Sequence, residues 1–339
     1  MLKPDQRKAN EGVSPVERLH ALVATDMAAT DKMIHARMGS AVLLIPDLAK
    51  HLIDSGGKRL RPMLTLAAAR MGGYGGDRHV NLAAAVEFIH TATLLHDDVV
   101  DASTLRRGKV AANLVWGNKA TVLVGDFLFS RAFEMMVDTG SLRVLDILSG
   151  ASAIIAEGEV MQLQSESNLG TTEAHYLKVV GAKTAELFAA AAESGATLCA
   201  KDPGGADFIA AMRSYGMNLG IAFQLVDDAL DYSGRQALMG KAVGDDFREA
   251  KVTLPVILAY ERADAKGAAF WKRAIEGTQT EADLERAITY VEETGAIQET
   301  MTRARHYADA AKAALAPLPA SEVREALADI ADFCVERAY

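Results

Sequence analysis

Residues 88–101 read FIHTATLLHDDVVD and residues 223–231 read FQLVDDALD, so two distant segments both end in the pattern Asp-Asp-x-x-Asp. The apolar residues that precede each cluster predict that both segments are helical. At about 100° per residue, the first and last aspartates of a cluster lie about 40° apart on one helix face, with the middle aspartate beside them. Each predicted helix therefore presents a group of three carboxylates.

Grouped carboxylates repel one another unless a cation lies between them. Two carboxylates about 5 Å apart repel by roughly 3 kcal/mol at an effective dielectric constant of about 20. Mg²⁺ prefers oxygen ligands, and it commonly takes one or two carboxylates together with substrate phosphates and water. The sequence therefore predicts a metal-bridged phosphate site, with the candidate metal ligands Asp97, Asp98, Asp101, Asp227, Asp228 and Asp231.

Composition limits the class of protein. The chain has 339 residues, half of them hydrophobic, and a net charge of -9, which argues against a nucleic-acid partner. Cys199 and Cys334 lack the spacing of a zinc site or a redox pair. Residues 1–8 lack the apolar core of a signal peptide, and no stretch of about 18 residues is apolar and free of charge. We expect a cytoplasmic protein without a membrane span.

Helical periodicity dominates the chain, and no segment alternates with the period of a β-strand. We expect one all-α domain over residues 15–339, preceded by a flexible N-terminus at residues 1–14. Helices are predicted at about residues 15–37, 80–101, 119–139, 141–166 and 173–200.

Three basic segments accompany the aspartate clusters. Residues 56–62 read GGKRLRP, and glycines with cations before a helix start favour anion binding, although a solvated basic turn is the simpler alternative. Residues 103–109 read STLRRGK, where the two arginines either pair with nearby acids or grip a diphosphate bidentately. Residues 240–255 read GKAVGDDFREAKVTLP, and this lysine-bearing loop is a candidate lid over a metal-bound diphosphate.

Two further candidates are weaker when they are taken alone. His90 lies seven and eleven residues before Asp97 and Asp101, so the three share a helical stripe, although a lone histidine there is more often a core residue. Lys183 lies within an apolar stretch and taken alone indicates a surface residue whose ammonium reaches water.

Taken together, these motifs resemble the trans-isoprenyl diphosphate synthases of the polyprenyl synthetase family. The matching segments follow the family order across about residues 50–260 and also include Gly125-Asp126-Phe127-Leu128 and Lys183-Thr184. The resemblance implies the isoprenoid synthase type I fold, a helical bundle around a deep central cavity, and a homodimer. It also implies the reaction: an allylic diphosphate such as farnesyl diphosphate ionises with three Mg²⁺ ions, isopentenyl diphosphate adds to the carbocation, and a proton is lost.

The resemblance also implies a role for each matched residue. Asp97 and Asp101 would hold two metal ions and Asp227 the third, while the remaining three aspartates would complete the metal shells directly or through water. The residues expected to grip the allylic diphosphate are Arg106, Lys183, Lys241 and Lys251. Those expected to hold isopentenyl diphosphate are Lys58, Arg61, His90 and Arg107. Thr184 and Gln224 would steady the carbocation, so the expected catalytic residues are Lys183, Thr184, Gln224, Arg106 and Lys241.

Product length is expected to depend on the residues four and five positions before Asp97. In the family, bulky aromatic residues at these positions stop a short product, whereas this chain has Thr93 and Ala92. The resemblance therefore implies an octaprenyl to decaprenyl product, of the kind that supplies a quinone side chain. Release of such a product is expected to involve transient contact with a membrane.

Several alternatives compete with this interpretation. A shorter-chain geranylgeranyl diphosphate synthase or a non-catalytic subunit of a heteromeric synthase would keep the fold. A terpene cyclase would not need Lys58 and Arg61 for a second diphosphate. A metal-dependent phosphohydrolase would use His96 with Asp97 and would require further histidine ligands.

Overall fold

The computed structural model describes residues 13–54, 56–199, 205–233, 244–280 and 282–336. Helices account for nearly all of its regular structure, which confirms the predicted all-α class. The α-helices are α1 Pro15–Leu22, α2 Ala24–Arg37, α3 Leu44–Ile53, α4 Leu60–Met71, α5 Arg78–Val100, α6 Ala112–Trp116, α7 Asn118–Asp138, α8 Leu142–Ser165, α9 Glu173–Val180, α10 Glu186–Thr197, α11 Gly205–Asp231, α12 Asp245–Arg248, α13 Leu254–Glu261, α14 Ala265–Glu276, α15 Asp283–Glu293, α16 Ala296–Leu315 and α17 Glu322–Glu336. No helix among these residues is both long enough and apolar enough to cross a lipid bilayer.

Helices α5, α10 and α11 form the centre of the fold. Helix α5 packs against α7, and α11 packs against both α10 and α16. Most of α10 is buried, and α5 is buried along most of its length before the aspartate cluster. Such helices are apolar on nearly every face because other helices surround them. The two aspartate clusters therefore lie at the ends of helices that the core holds in place.

Two glycines allow the helices around the aspartates to approach closely. A Cβ added at Gly220 on α11 would lie 2.5 Å from the Cα atom of Ala185. A Cβ added at Gly158 on α8 would lie 2.8 Å from the backbone nitrogen of Lys183. Side chains larger than hydrogen do not fit at these distances, because ordinary contacts begin at 3.4 Å. The glycines therefore bring α8 and α11 against the segment that carries Lys183.

That segment is a short π-helix, Gly181–Ala185, which lies between α9 and α10. Sequence periodicity predicts one continuous helix from residue 173 to about residue 200, and the extra residue of the π-turn interrupts it. Single π-turns within α-helices are rare and frequently mark functional sites. Here the π-turn includes both Lys183 and Thr184.

Two other expectations differ from the structure. The helix predicted over residues 15–37 is divided at Val23, because α1 packs against α17 whereas α2 packs against α5. A two-stranded antiparallel hairpin, β1 Leu105–Arg106 and β2 Lys109–Val110, appears where no strand is predicted. Arg107 and Gly108 form its turn with φ values of 52° and 74°, and positive φ at both central residues is typical of tight hairpins.

Candidate functional site

The first aspartate cluster lies at the end of α5. Asp97 and Asp101 line a cavity, and their side chains are 16% and 11% exposed. Asp98 is fully buried, and its Oδ1 atom accepts a hydrogen bond from Nε of Arg106 at 2.7 Å and forms an ion pair with Nη2 at 2.6 Å. The β-hairpin supplies this arginine. The cluster therefore exposes two of its carboxylates to the cavity and uses the third to hold Arg106.

The second aspartate cluster, at the end of α11, reaches the same cavity. Asp228 lines the cavity together with Asp97 and Asp101, so the structure brings the two distant segments together. Asp227 is half-buried. Asp231 is buried and accepts hydrogen bonds from the backbone N–H groups of Asp245 and Asp246 at 3.3 and 3.0 Å. Asp231 therefore binds the first turn of α12, in the segment that leads to Lys251.

Two lysines line the cavity beside Asp97 and Asp101. The Nζ atom of Lys183 lies 2.6 Å from Glu159 and 3.8 Å from Asp97. The Nζ atom of Lys251 lies 3.0 Å from Asp101, and the surrounding carboxylates raise the pKa of this lysine despite its burial. Lys183 is therefore a cavity residue, although sequence periodicity alone favours a surface position for it. Both ammonium groups reduce the repulsion within the first cluster.

A chain of hydrogen bonds crosses the cavity wall. The Thr184 hydroxyl donates to Oε1 of Gln224 at 2.9 Å, and Nε2 of Gln224 donates to Oδ1 of Asp228 at 2.6 Å. The phenol of Tyr176 donates to the other oxygen of Asp228 at 2.5 Å. Burial raises the pKa of Asp228 to about 7, although both hydrogen bonds oppose this change. Sequence reasoning does not identify Tyr176, because no motif contains it and it reaches Asp228 only through the packing of α9 on α11.

A second basic group lies on the same face of α5, about two turns before Asp97. Arg61 is half-buried, and its Nη1 atom is 3.2 Å from Nε2 of His90. Burial lowers the pKa of Arg61 to about 10, which keeps it charged at neutral pH. The pKa of His90 lies well below its usual range because of burial and of nearby arginines, including Arg61 and Arg107. A neutral imidazole therefore adjoins two cations, which is a suitable arrangement for a phosphate group.

The other residues that the resemblance singles out are Lys58, Arg107, Ala92, Thr93 and Lys241. Lys58 contacts the ring of Phe333 with its Nζ atom 5.1 Å from the centroid, and Arg107 donates to the carbonyl of Gly56. Ala92 is fully buried, and Thr93 is half-buried with its hydroxyl donating to the His90 carbonyl at 2.9 Å. Lys241 lies outside the described residues.

Divalent metal binding fits the chemistry of the exposed carboxylates. Among the described residues, no group of three or more acidic, histidine or cysteine side chains converges to form a complete metal cage. Mg²⁺ does not require such a cage, because water and substrate phosphates complete its octahedral shell. Asp97 and Asp101 lie on one wall of the cavity and expose hard oxygen ligands to it. These oxygen atoms are therefore compatible with a metal shell that water and phosphate complete.

The His96–Asp97 pair of a phosphohydrolase is not formed. His96 turns towards α7, where its Nε2 atom lies 3.3 Å from Asp126 and its ring stacks on Phe129. Asp97 faces the cavity instead, beside Lys183. The helix geometry therefore separates the two neighbouring side chains and disfavours this alternative.

Comparison with known proteins identifies the family. The polyprenyl synthetase family model matches residues 43–291. The octaprenyl diphosphate synthase of Escherichia coli strain K12 is 45% identical to this chain, over 95% of this chain and 99% of that protein. A crystal structure of a polyprenyl synthase from Caulobacter crescentus CB15, complexed with calcium and isoprenyl diphosphate, is 56% identical, has a TM-score of 0.92, and matches 96% of this chain and 98% of its own. A decaprenyl diphosphate synthase from Rhodobacter capsulatus is 54% identical in sequence, has a TM-score of 0.91, and matches 96% and 99% of the two chains. The chain belongs to the polyprenyl synthetase family.

Proposed function

We propose that this protein is a long-chain trans-polyprenyl diphosphate synthase, which extends an allylic diphosphate with isopentenyl diphosphate to an octaprenyl to decaprenyl product. The observation that carries the proposal is the convergence of carboxylates from both clusters and two lysines on one cavity. A second basic group around Arg61 and His90 lies about two turns earlier on the same face of α5 and offers a site for a second diphosphate. Two anionic substrates and no covalent attachment to the protein match this arrangement.

Asp97, Asp101 and Asp227 are our proposed direct ligands of three Mg²⁺ ions. When bound, these ions would neutralise diphosphate oxygens and make the diphosphate a better leaving group. The other three aspartates are buried and bind protein groups. In our proposal they support the metal site indirectly: Asp98 orients Arg106, Asp228 orients Gln224, and Asp231 holds the segment that leads to Lys251.

Arg106, Lys183 and Lys251 would grip the allylic diphosphate as its carbon–oxygen bond breaks. These cations now contact the aspartates of the first cluster, and a metal-bound diphosphate would exchange those contacts for contacts with its own oxygens. Stabilising charge that develops in the transition state is an effective use of fixed cations. Lys241 is proposed to join this group from its position before α12.

Isopentenyl diphosphate is proposed to bind Lys58, Arg61, His90 and Arg107. Its double bond would attack the allylic carbocation, which forms the new carbon–carbon bond, and loss of a proton would restore a double bond. Thr184 and Gln224 line the cavity and would turn oxygen dipoles towards the cation. The small side chains of Ala92 and Thr93 support a long product, of the kind used for a quinone side chain, because neither blocks growth along α5.

A homodimer is part of this proposal, and an exposed apolar face on α7 and α8 supports it. Leu123, Phe133 and Val137 follow one face of α7 with exposures of 66%, 38% and 62%, and Val160 and Leu163 continue the apolar surface on α8. Contiguous apolar surface of this kind usually marks an interface. A second copy of this chain is the proposed occupant. We expect the double variant Leu123→Glu with Val137→Glu to elute as a monomer with its helical content unchanged, and an unchanged elution volume would exclude this face.

The enzymatic proposal is tested with the purified chain, Mg²⁺, farnesyl diphosphate and labelled isopentenyl diphosphate. We expect linear products longer than six isoprene units, resolved by reversed-phase chromatography after dephosphorylation, and loss of all products with EDTA. Products no longer than geranylgeranyl diphosphate would refute the long-chain assignment. Cyclic hydrocarbon or release of phosphate alone would refute the prenyl transfer itself.

A further inference from the structure

The hydrogen bonds that connect Tyr176, Asp228, Gln224 and Thr184 have a fixed direction. Tyr176 and Asp228 are 5% and 3% exposed, so water does not replace these bonds easily. Each oxygen of the Asp228 carboxylate accepts one of them, from Tyr176 at 2.5 Å and from Gln224 at 2.6 Å. In the structure the NH₂ group of Gln224 faces Asp228 and donates to it.

This orientation determines whether the Thr184 hydroxyl donates or accepts its hydrogen bond with Gln224. Once the NH₂ group of Gln224 faces Asp228, its carbonyl oxygen faces Thr184 and can only accept. Thr184 therefore donates its single hydroxyl hydrogen to Gln224 at 2.9 Å. The lone pairs of the hydroxyl oxygen remain for the cavity that Thr184 lines. A hydroxyl whose hydrogen points to Gln224 presents its oxygen, which carries partial negative charge, to a cation in the cavity.

We propose that Tyr176 is a positioning residue, which acts through Asp228 and Gln224 to keep the Thr184 oxygen directed at the carbocation. The inference rests on the proposed function, because it needs a cationic intermediate in this cavity. Tyr176 contributes the second donor to Asp228, which fixes the rotation of the carboxylate and keeps its other oxygen on Gln224. Without the phenol, the carboxylate is free to rotate, Gln224 can reverse its amide, and Thr184 can turn its hydrogen into the cavity.

The test compares Tyr176→Phe with Tyr215→Phe as a matched control. Tyr215 is also fully buried, and its hydroxyl donates to the Leu327 carbonyl at 2.7 Å, where α11 meets α17. Each substitution removes one oxygen and one buried hydrogen bond, so both variants should lose thermal stability. We expect Tyr176→Phe to lower kcat about tenfold, with unchanged KM for isopentenyl diphosphate and unchanged Mg²⁺ dependence. Tyr215→Phe should keep the kcat of the unsubstituted protein.

A double-mutant cycle with Thr184→Val separates positioning from a general structural effect. Valine keeps the shape of threonine and removes the hydroxyl at the end of the hydrogen-bond chain from Tyr176. If Tyr176 acts through that hydroxyl, Tyr176→Phe should change kcat less than twofold in the Thr184→Val background. A tenfold loss in both backgrounds would overturn the proposal, as would an increased Mg²⁺ requirement or an unchanged kcat in the single variant.

Failure of the inference is distinguishable from failure of the proposed function. The unsubstituted protein tests the function, because it either makes long prenyl products or does not. If the unsubstituted protein makes long products and Tyr176→Phe is equally active, only the positioning role of Tyr176 is refuted. Circular dichroism and thermal midpoints relative to Tyr215→Phe establish that the loss of kcat does not come from unfolding.

Discussion

Replacing Gly220 with alanine should damage the site by separating two helical segments. The added methyl carbon would lie 2.5 Å from the Cα atom and 2.8 Å from the Cβ atom of Ala185. Ordinary contact begins at 3.4 Å, so α11 has to move away from the π-helix by about 0.9 Å. The same movement would lengthen the hydrogen bond from Thr184 to Gln224 from 2.9 Å to about 3.8 Å, which is beyond hydrogen-bonding range.

The magnitudes follow from this displacement. Misplacement of a reacting group by about 1 Å can cost about a hundredfold in rate, so we expect kcat to fall by between about tenfold and a hundredfold. Overpacking costs roughly 1–3 kcal/mol of stability, and alanine returns about 1 kcal/mol as the better helix former. The net loss in the free energy of unfolding should therefore be roughly 0–2 kcal/mol. The substitution should therefore affect kcat more than it affects the stability of the fold.

Urea unfolding and steady-state kinetics measure these two effects. Gly267→Ala on α14 is the control, because the added Cβ would lie 3.0 Å from the Cβ atom of Ala263. Helix α14 packs against α13 and α15. This control should lose little stability and keep its kcat. If Gly220→Ala unfolds at a lower urea concentration but retains full kcat, the spacing between α11 and the π-helix does not determine the geometry of the site.

Two further predictions concern product length and pH. Ala92→Phe combined with Thr93→Phe should shorten the chromatographed product while isopentenyl transfer continues, and an unchanged length would place the limiting residues deeper. Burial raises the pKa of Glu159 from 4.5 to about 7, so the folded protein binds a proton more tightly than the unfolded chain does. The metal-free protein should therefore lose stability as pH rises from about 4.5 to about 7. Urea unfolding at several pH values in this range measures the effect. In Glu159→Gln the free energy of unfolding should depend less on pH, and an unchanged pH dependence would contradict the raised pKa of Glu159.

Much of the fold was predictable because long helices carry strong apolar periodicity. The predicted helices at about residues 80–101, 119–139 and 141–166 correspond closely to α5, α7 and α8. The hairpin at residues 105–110 was missed because two-residue strands leave no periodic pattern. The break at Val23 was also missed, because it reflects the different neighbours of α1 and α2 and no glycine or proline marks it.

Lys183 illustrates what sequence periodicity alone could not predict. Its neighbours are apolar, which by itself indicates a lysine that reaches water. In the structure Lys183 lines the cavity instead. Gly158 lets α8 approach the backbone at Lys183, and Lys183 lies within the π-turn. Both effects depend on contacts between residues far apart in the sequence.

The two aspartate clusters have identical spacing, yet their surroundings differ. Helix α5 ends at Val100, and Asp101 stays on the cavity wall as the chain turns into the hairpin. After α11 the chain returns, Gly244 donates its backbone N–H to the Asp231 carbonyl at 2.9 Å, and α12 covers the Asp231 carboxylate. The course of the chain after each cluster thus decides whether the last aspartate faces the cavity or the protein. Among the described residues, the first cluster therefore keeps Asp97 and Asp101 on the cavity wall, whereas the carboxylate of Asp231 in the second cluster binds backbone amides. This difference comes from packing, because the two motifs have the same spacing.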